Sequence, residues 1–188
     1  MNTLTDISFT SQIRGIDLSF NTTWGLFSPK NIDSGTRLLI DCLEINSDDI
    51  CLDLGCGYGA VGISMAKCAS PSEVYMVDKD FVAVDYARKN IENNKLENCH
   101  VYLSNGFSHV PDIKFDIIAS NLPANVGNEL IRIFFNDAKR FLNENGKLYV
   151  VTIAGLKEFI KRNFISTFGN YKKVKQRKTH TVSMAMLS

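Results

Sequence analysis

The stretch Asp53-Leu-Gly55-Cys-Gly57-Tyr-Gly59 follows a short apolar run at residues 50–53 and leads into an amphipathic run at residues 59–67. The first run predicts a buried strand and the second a helix, so the glycines occupy the turn that joins them. Glycine permits positive φ and close approach of the backbone, and the free amides at a helix N-terminus point toward a ligand. The stretch therefore predicts a ligand-binding loop at the end of a strand.

Downstream of this loop, short runs rich in Val and Ile alternate with longer amphipathic runs, a pattern typical of parallel strands connected by helices. Strands are predicted at residues 50–53, 73–78, 100–104, 115–120 and 147–152, and helices at residues 59–67, 81–94, 128–141 and 156–168. Two further β-like runs, at residues 172–176 and 181–187, predict a closing hairpin. The predicted fold is α/β, a doubly wound, mostly parallel seven-stranded sheet with a C-terminal antiparallel hairpin.

The length of 188 residues suits one domain with a single core. We predict one domain over residues 1–188, with residues 1–48 as an N-terminal extension that includes a helical segment and residues 49–188 as a Rossmann-like core. The five cysteines form no Cys-x-x-Cys pair and lie far from the three histidines, so no metal site is predicted. No apolar run approaches a membrane span and no signal peptide is evident, so a cytoplasmic protein, a monomer or weak homodimer, is expected.

The glycine loop alone leaves the cofactor open, because Gly57, Gly59 and Gly62 also match the dinucleotide pattern G-x-G-x-x-G. Asp53 favours S-adenosylmethionine, since a carboxylate at the strand end would attract a cationic methionine moiety and repel a pyrophosphate. Asp78 ends the second strand, where a carboxylate can accept hydrogen bonds from both ribose hydroxyls, as in either kind of site. After the third strand, Asn105 and Gly106 could border an adenine. Together these features favour S-adenosylmethionine.

Three longer stretches of the sequence indicate a particular protein family. Residues 25–39 read GLFSPKNIDSGTRLL, the glycine loop reads DLGCGYGAVG, and residues 120–130 read SNLPANVGNEL. Over residues 20–187 the chain resembles the small-domain group of class I methyltransferases, which contains guanine-N2 methyltransferases of small-subunit ribosomal RNA. The resemblance implies bound S-adenosylmethionine, with Phe27, Asp33 and Thr36 beside it. The predicted cofactor-binding set is Phe27, Asp33, Thr36, Asp53, Gly55, Cys56, Gly57, Gly59, Asp78, Lys79, Asn105, Gly106 and Asn121.

The same resemblance implies methylation of an exocyclic amine, because Asn121-Leu122-Pro123 stands where amine-directed relatives carry Asn-Pro-Pro. The exocyclic amine of guanine is a poor nucleophile and must be held in line with the methyl group. The Asn121 side-chain oxygen and the Leu122 carbonyl could accept its two hydrogens, and Pro123 would keep the turn rigid. Asn121, Leu122 and Pro123 are therefore the predicted catalytic residues.

The acceptor motif departs from the family pattern at two positions. Leu122 replaces the first proline but keeps the backbone carbonyl, whereas Ala124 replaces a residue that often stacks on the target base. Trp24 or Phe20 could supply a stacking ring instead, although burial in the core is the favoured interpretation of both side chains.

The C-terminal part of the chain is basic. From residue 155 to the end there are eight basic residues and one acidic residue, while the whole chain carries a net charge of +1. We predict that Lys172, Lys173, Lys175, Arg177 and Lys178 contact RNA phosphates. A solvated helix face and edge strand would explain the same charges without a ligand.

Three other functions stay open on the sequence alone. The chain could methylate a small molecule or a protein side chain, or it could be a catalytically silent subunit that binds S-adenosylmethionine and docks RNA. An NAD-binding domain is disfavoured because the chain has no second nucleotide-binding half and no substrate domain. The function favoured here is methylation of RNA, in particular guanine N2 of ribosomal RNA, with roles in RNA methylation and rRNA processing.

Overall fold

The computed structural model describes residues 5–69, 73–123 and 127–188. Two strands and a helix precede the predicted core: β1 (Asp6–Ile13), β2 (Ile16–Thr23) and α1 (Ser34–Cys42). The first half of the core contains β3 (Ile50–Leu54), α2 (Ala60–Cys68), β4 (Glu73–Asp78), α3 (Phe81–Asn93) and β5 (Cys99–Leu103). The second half contains β6 (Phe115–Asn121), α4 (Asn128–Phe141), β7 (Leu142–Ile153), a 3₁₀ turn (Ala154–Leu156), α5 (Lys157–Phe168), β8 (Lys172–Gln176) and β9 (His180–Met186).

The central sheet has seven strands in the order β5-β4-β3-β6-β7-β9-β8. Strands β3 to β7 are parallel, β9 runs antiparallel to β7, and β8 runs antiparallel to β9. This arrangement confirms the predicted doubly wound sheet with its C-terminal hairpin. The chain leaves β3 toward β4 and later returns to pair β6 on the other side, so the order reverses between β3 and β6. In such sheets ligands bind outside the carboxyl ends of the strands at this reversal.

Each face of the sheet carries its own layer of helices. One apolar cluster includes Leu39 of α1, Ile63 of α2 and Ala87 of α3, all of them fully buried. The other includes Phe135 of α4 and Phe164 of α5. Both faces are therefore covered, which is why the strands read as nearly continuous apolar runs in the sequence. Within the described residues, no helix combines the length and apolar character that crossing a membrane would require.

The segment before the core contains a β-hairpin that the sequence patterns did not predict. Strands β1 and β2 pair over their whole length, with the register running from Asp6↔Thr23 to Ile13↔Ile16. The two turn residues, Arg14 and Gly15, both have positive φ, at 48° and 81°. Such a turn is typical of two-residue hairpins, but Asn-Gly or Asp-Gly usually provides it, so Arg-Gly is a weaker signal.

This hairpin packs on α3 and on the glycine loop. The Asn21 backbone amide donates to Oδ1 of Asn90 at 2.6 Å, and Nδ2 of Asn90 donates back to the Asn21 carbonyl at 2.8 Å. Nδ2 of Asn90 also donates to the Tyr58 carbonyl in the glycine loop at 2.9 Å. Phe20, which is 1% exposed, lies 5.7 Å from the Tyr58 ring. The hairpin therefore fixes the back of the glycine loop and leads the chain toward the carboxyl edge of the sheet.

Candidate functional site

The glycine loop between β3 and α2 presents backbone rather than side chains to the space above it. Gly55, Gly57 and Gly59 all have positive φ, at 76°, 56° and 93°. A Cβ atom built on Gly55 or Gly57 would meet no protein atom within 4 Å, so this backbone borders open space. The amides of Gly55 and Cys56 donate to the Val77 carbonyl at 2.9 Å each, which ties the loop to β4. The loop therefore forms a rigid cradle that side chains would fill.

Asp78, at the end of β4, joins the cradle directly. Its Oδ2 accepts a hydrogen bond from the Gly57 amide at 2.8 Å, and its Oδ1 accepts one from the Asp80 amide at 2.9 Å. Each carboxylate oxygen has a second lone pair, so the group can still accept hydrogen bonds from ligand hydroxyls. Lys79 follows on the exposed side of the turn. The donor and acceptor chemistry of this corner fits the ribose end of a nucleoside.

Asp53 lies under the cradle instead of at its open side. Its side chain is 1% exposed, and its Oδ2 accepts a hydrogen bond from the Gly62 amide of α2 at 2.8 Å. Burial raises the pKa of this carboxyl to about 7, against the opposing effect of the Gly62 hydrogen bond, and the charge of Asp78 raises the pKa further. A cationic ligand group near the loop would favour the ionised carboxylate. Asp53 can thus act on a ligand through its charge, while the backbone makes the contact.

Cys56 is buried within the same loop. Burial raises the pKa of its thiol well above the usual value, and the charges of Asp53 and Asp78 raise it further. The thiol is therefore neutral, with Sγ directed to the Gly57 carbonyl at 3.5 Å. The Cys56 backbone is also used within the protein, since its amide donates to the Val77 carbonyl and its carbonyl accepts from the Gly59 amide, each at 2.9 Å.

The turn that is predicted to lie beside the adenine follows β5. Gly106 has φ of 60°, and a Cβ built there would lie 2.8 Å from Cε1 of Phe134 on α4. The turn is fixed by Ser104, whose Oγ donates to the Gly106 carbonyl at 2.8 Å, and the Asn105 side chain is exposed. Phe134 lies in the helix predicted at residues 128–141, and the sequence analysis does not assign it to the site. Its place against Gly106 depends on how α4 packs after β6, which the local sequence does not reveal.

The other end of the site, where the methyl acceptor is predicted to bind, is called the acceptor end here. Asn121, at this end, is the last residue of β6. Its Nδ2 donates to Oγ1 of Thr36 at 2.9 Å and to Oδ2 of Asp33 at 3.3 Å. The Leu122 side chain is buried, and its amide donates to the Val151 carbonyl of β7 at 3.1 Å. Pro123 is exposed, and Ala124 lies outside the described residues.

Asp33 caps α1 and also contacts Asn121. Its two carboxylate oxygens accept hydrogen bonds from the amides of Gly35 at 2.8 Å and Thr36 at 3.2 Å. A carboxylate can only accept, so the Asn121 amide nitrogen must face it. The Asn121 side-chain oxygen is therefore turned away from α1. The family resemblance implies that Asp33 and Thr36 lie beside the cofactor, but nothing in the sequence indicates that they would hold the orientation of Asn121.

The cofactor end and the acceptor end are joined inside the sheet. Oγ of Ser120, which is buried, donates to the Leu54 carbonyl at the end of β3 at 2.7 Å. The Tyr58 hydroxyl donates to the Asn31 carbonyl at 3.3 Å, which connects the glycine loop to the segment before α1. The glycine loop, Asp78, Asn105, Asn121 and the N-terminus of α1 therefore share the carboxyl edge of the sheet.

The segment between β2 and α1 carries two exposed aromatic side chains. Phe27 is 69% exposed and Trp24 is 61% exposed. The expectation that Trp24 is buried in the core is therefore wrong, whereas the same expectation for Phe20 is confirmed. The difference arises at the end of the hairpin: Phe20 faces the core from within β2, and Trp24 follows the strand after the chain has left the sheet.

The five basic residues predicted to contact RNA are exposed on β8 and on the turn after it. This turn lies at the same edge as Asn121: the Ala154 amide, just past β7, donates to the Thr179 carbonyl at 2.8 Å. His180 packs on the N-terminus of α1, since a Cβ on Gly35 would lie 2.8 Å from its Cδ2. Within the described parts of the chain, none of the five makes an ion pair with a carboxylate within 4.0 Å.

The described residues contain no group of three or more His, Cys, Asp or Glu side chains arranged to hold a metal ion. The polar groups described at the carboxyl edge include backbone groups, the carboxylates of Asp33 and Asp78, and the side-chain amides of Asn105 and Asn121. This donor set suits an organic ligand with hydroxyl and amino groups.

The sequence of this chain matches the family described as the methyltransferase small domain over residues 17–184. The uncharacterized protein YbxB of Bacillus subtilis is 34% identical over 142 residues, which cover 74% of this chain and 71% of that protein. The ribosomal RNA small subunit methyltransferase C of Haemophilus influenzae (strain PittGG) is 35% identical over 136 residues, covering 70% of this chain and 41% of its own length.

Two solved structures are also similar to this chain. The T. thermophilus 16S rRNA N2 methyltransferase, in complex with AdoMet and guanosine, superposes with a TM-score of 0.89 at 27% identity, covering 99% of this chain and 51% of its own. A precorrin-6y methyltransferase of Geobacter metallireducens has a TM-score of 0.71 at 12% identity, covering 90% of this chain and 94% of that one, which shows a shared fold alone. The chain thus spans about half the length of the ribosomal RNA methyltransferases it matches.

Proposed function

Because this chain belongs to the methyltransferase small domain family, it is an S-adenosylmethionine-dependent methyltransferase, and we propose that its acceptor is the exocyclic N2 amine of a guanine in ribosomal RNA. The relatives named as ribosomal RNA small subunit methyltransferases support this acceptor, as does the solved structure with guanosine. The chain spans only part of those proteins, so the acceptor has to be argued from its own residues.

The cofactor end fits S-adenosylmethionine. The cradle of Gly55 and Gly57 would hold the methionine part against bare backbone, with the charge of Asp53 beneath it. Asp78 would accept from the ribose hydroxyls, and the turn at Asn105 would border the adenine. When bound, S-adenosylmethionine supplies an electrophilic methyl group on a sulfonium. The residues of this end bind and orient, and none of them is required to transfer a proton.

The orientation of the Asn121 side chain is the main structural support for the proposed methyl acceptor. Asp33 and Thr36 hold its amide nitrogen, so its oxygen is left to accept a hydrogen bond from a substrate. The Leu122 carbonyl follows in the chain, and its amide is already used by β7. Two adjacent acceptors match the two hydrogens of an exocyclic amine and would hold it in one orientation. For a weak nucleophile, such positioning supplies most of the rate.

Leu122 is compatible with this role although proline is the usual residue. Its side chain is 4% exposed and packs in the same apolar cluster as Phe135 and Phe164. Packing therefore fixes the backbone where proline would fix it through φ. This supports an active enzyme over a catalytically silent subunit.

Mass spectrometry of labelled nucleosides tests the proposed acceptor. The protein is incubated with S-adenosylmethionine carrying a deuterated methyl group and with either purified ribosomal RNA or assembled small subunits from cells that lack this protein. The RNA is then digested to nucleosides. We expect the label in N2-methylguanosine with at least one of the two substrates. Label only in another nucleoside, or only in the proteins of the assembled subunits, would refute the proposed acceptor.

A further inference from the structure

We propose that Trp24 is the stacking platform for the unpaired acceptor base, an inference that rests on the proposed function. Trp24 is the single tryptophan of the chain and is 61% exposed. Its surroundings are ordered by packing: Thr23, just before it, is 1% exposed, and Leu26 is buried. Thr22 Oγ1 donates to the Pro29 carbonyl at 2.5 Å, which closes the loop around it. A large ring is thus held outside the core by an anchored segment.

The ring contacts the segment that leads to Asp33. Nζ of Lys30 is 5.0 Å from the centroid of the Trp24 ring. Lys30 is three residues before Asp33, which contacts Asn121, and the carbonyl of Asn31 accepts from Tyr58 of the glycine loop. The residues that follow Lys30 thus contact the glycine loop, through the Asn31 carbonyl, and Asn121, through Asp33.

The acceptor base needs an aromatic surface to stack on, and the motif that begins at Asn121 does not supply one. Bases recognised in single-stranded RNA are stacked on aromatic side chains or Arg planes. In this sequence Asn121, Leu122 and Pro123 are followed by Ala124, which has no ring. Trp24 offers a large aromatic ring on the segment that leads to Asp33. The Lys30 ammonium lies over one face of this ring, so a base would stack on the opposite face, and its positive charge is placed where a neighbouring phosphate could bind.

Fluorescence of the single tryptophan gives a readout that does not depend on catalysis. The protein is saturated with S-adenosylhomocysteine and titrated with guanosine 5′-monophosphate or, as a matched ligand without a base, with ribose 5-phosphate. We expect saturable quenching by the nucleotide and none by the sugar phosphate. Quenching that grows linearly without saturating, or that is equal for the two ligands, would overturn the inference.

The kinetics of three variants provide a second test of the stacking role. Trp24→Ala should raise the KM for ribosomal RNA about tenfold to a hundredfold, the range expected for loss of one stacked base, with an unchanged Kd for S-adenosylmethionine. Trp24→Phe keeps a smaller ring and should show a smaller increase. Ile165→Ala, at an exposed apolar residue of α5, is the matched control and should leave the KM unchanged. A wild-type KM for Trp24→Ala would overturn the inference.

The two tests separate this inference from the proposed function. If the wild-type protein methylates ribosomal RNA but Trp24→Ala has the same KM, only the stacking role fails. If the wild-type protein does not methylate ribosomal RNA, the proposed function fails, and the fluorescence titration still decides whether a base stacks on Trp24.

Discussion

The two ends of the site are built differently. The cofactor end is local: the glycine loop and Asp78 lie within 26 residues, and the hydrogen bonds of the Asp53 and Asp78 carboxylates to Gly62 and Gly57 are made within this stretch. The acceptor end is assembled from distant segments, since Asn121 is held by Asp33 and Thr36, which are 88 and 85 residues away. The residues predicted to bind the cofactor can therefore be recognised by their spacing, whereas the orientation of Asn121, which we propose faces the methyl acceptor, depends on tertiary packing.

The largest effect that separates the two ends should come from Asn121→Ala. The variant removes the side-chain acceptor but leaves the cradle and Asp78 intact. We expect methyl transfer to fall by roughly a hundredfold or more, comparable to removing one preorganised polar group. The Kd for S-adenosylmethionine, measured by calorimetry, should stay nearly unchanged. An equal loss of cofactor affinity would mean that the two ends are not separate.

The opposite variant, Asp78→Ala, should act on the cofactor alone. It removes an acceptor for the Gly57 amide and for the ribose hydroxyls, so affinity for S-adenosylmethionine should fall at least about tenfold. The rate at saturating cofactor should change much less. Calorimetry and kcat at high cofactor concentration measure the two quantities. A variant that binds normally but reacts slowly would place Asp78 at the acceptor end.

Asp53 predicts a pH dependence that belongs to the cofactor end. Burial raises its pKa from 3.8 to about 7, so the folded protein binds this proton more tightly than the unfolded chain. The contribution of this group to stability is present at acid pH and is lost as pH rises from about 4 to about 7. A cationic ligand favours the ionised form, so affinity for S-adenosylhomocysteine should rise up to about tenfold between pH 6 and pH 8.

Asp53→Asn provides the control, because it keeps a hydrogen-bond acceptor for the Gly62 amide but cannot ionise. Titrations at pH 6, 7 and 8 should then show no trend in affinity. A variant that retains the wild-type pH dependence would assign the titration to another group.

The smallest effect concerns the basic strand and turn at the edge of the sheet. Removing one side chain that binds a phosphate should flatten the log-log dependence of RNA affinity on salt by about 0.7 for single-stranded RNA. The triple variant Lys173→Ala/Lys175→Ala/Arg177→Ala should therefore reduce the slope by about 2 if all three bind phosphates. Fluorescence anisotropy with labelled RNA at several salt concentrations measures this slope. An unchanged slope and affinity would mean that these exposed charges only solvate the edge strand.

The sequence was sufficient for those parts of the fold that depend on local pattern. The five parallel strands and four of the helices follow from apolar runs and their periodicity, and the glycine loop lies between the predicted strand and helix. Strand β7 is longer than expected because it begins at Leu142, where it pairs with Phe115 before a register shift. Such pairing is set by the neighbouring strand and leaves no trace in the β7 sequence.

Most of the parts that escaped prediction depend on contacts between distant segments. The hairpin β1-β2 is polar on one side and ends in an unusual turn, and Asn90 of α3 stabilises it. The positioning of Asn121 by α1 arises in the same way, whereas the exposure of Trp24 follows from its place just past the end of β2. The roles assigned to the individual site residues remain predictions, and the variants above test them.

The most direct measurement of how the acceptor end works is the single-turnover rate of methyl transfer in a charge-swap pair. In Asn121→Asp the new carboxylate would face Asp33, whose Oδ2 lies 3.3 Å from the Asn121 nitrogen, so repulsion should displace it. Adding Asp33→Asn places a side-chain NH2 donor at position 33 opposite the new carboxylate at position 121. Asparagine is also a good N-cap residue, so the start of α1 should be retained. We expect the single variant to be slower by about a hundredfold or more, and the double variant to recover at least about tenfold, at constant cofactor affinity. A double variant no faster than the single one would contradict the conclusion that α1 orients Asn121.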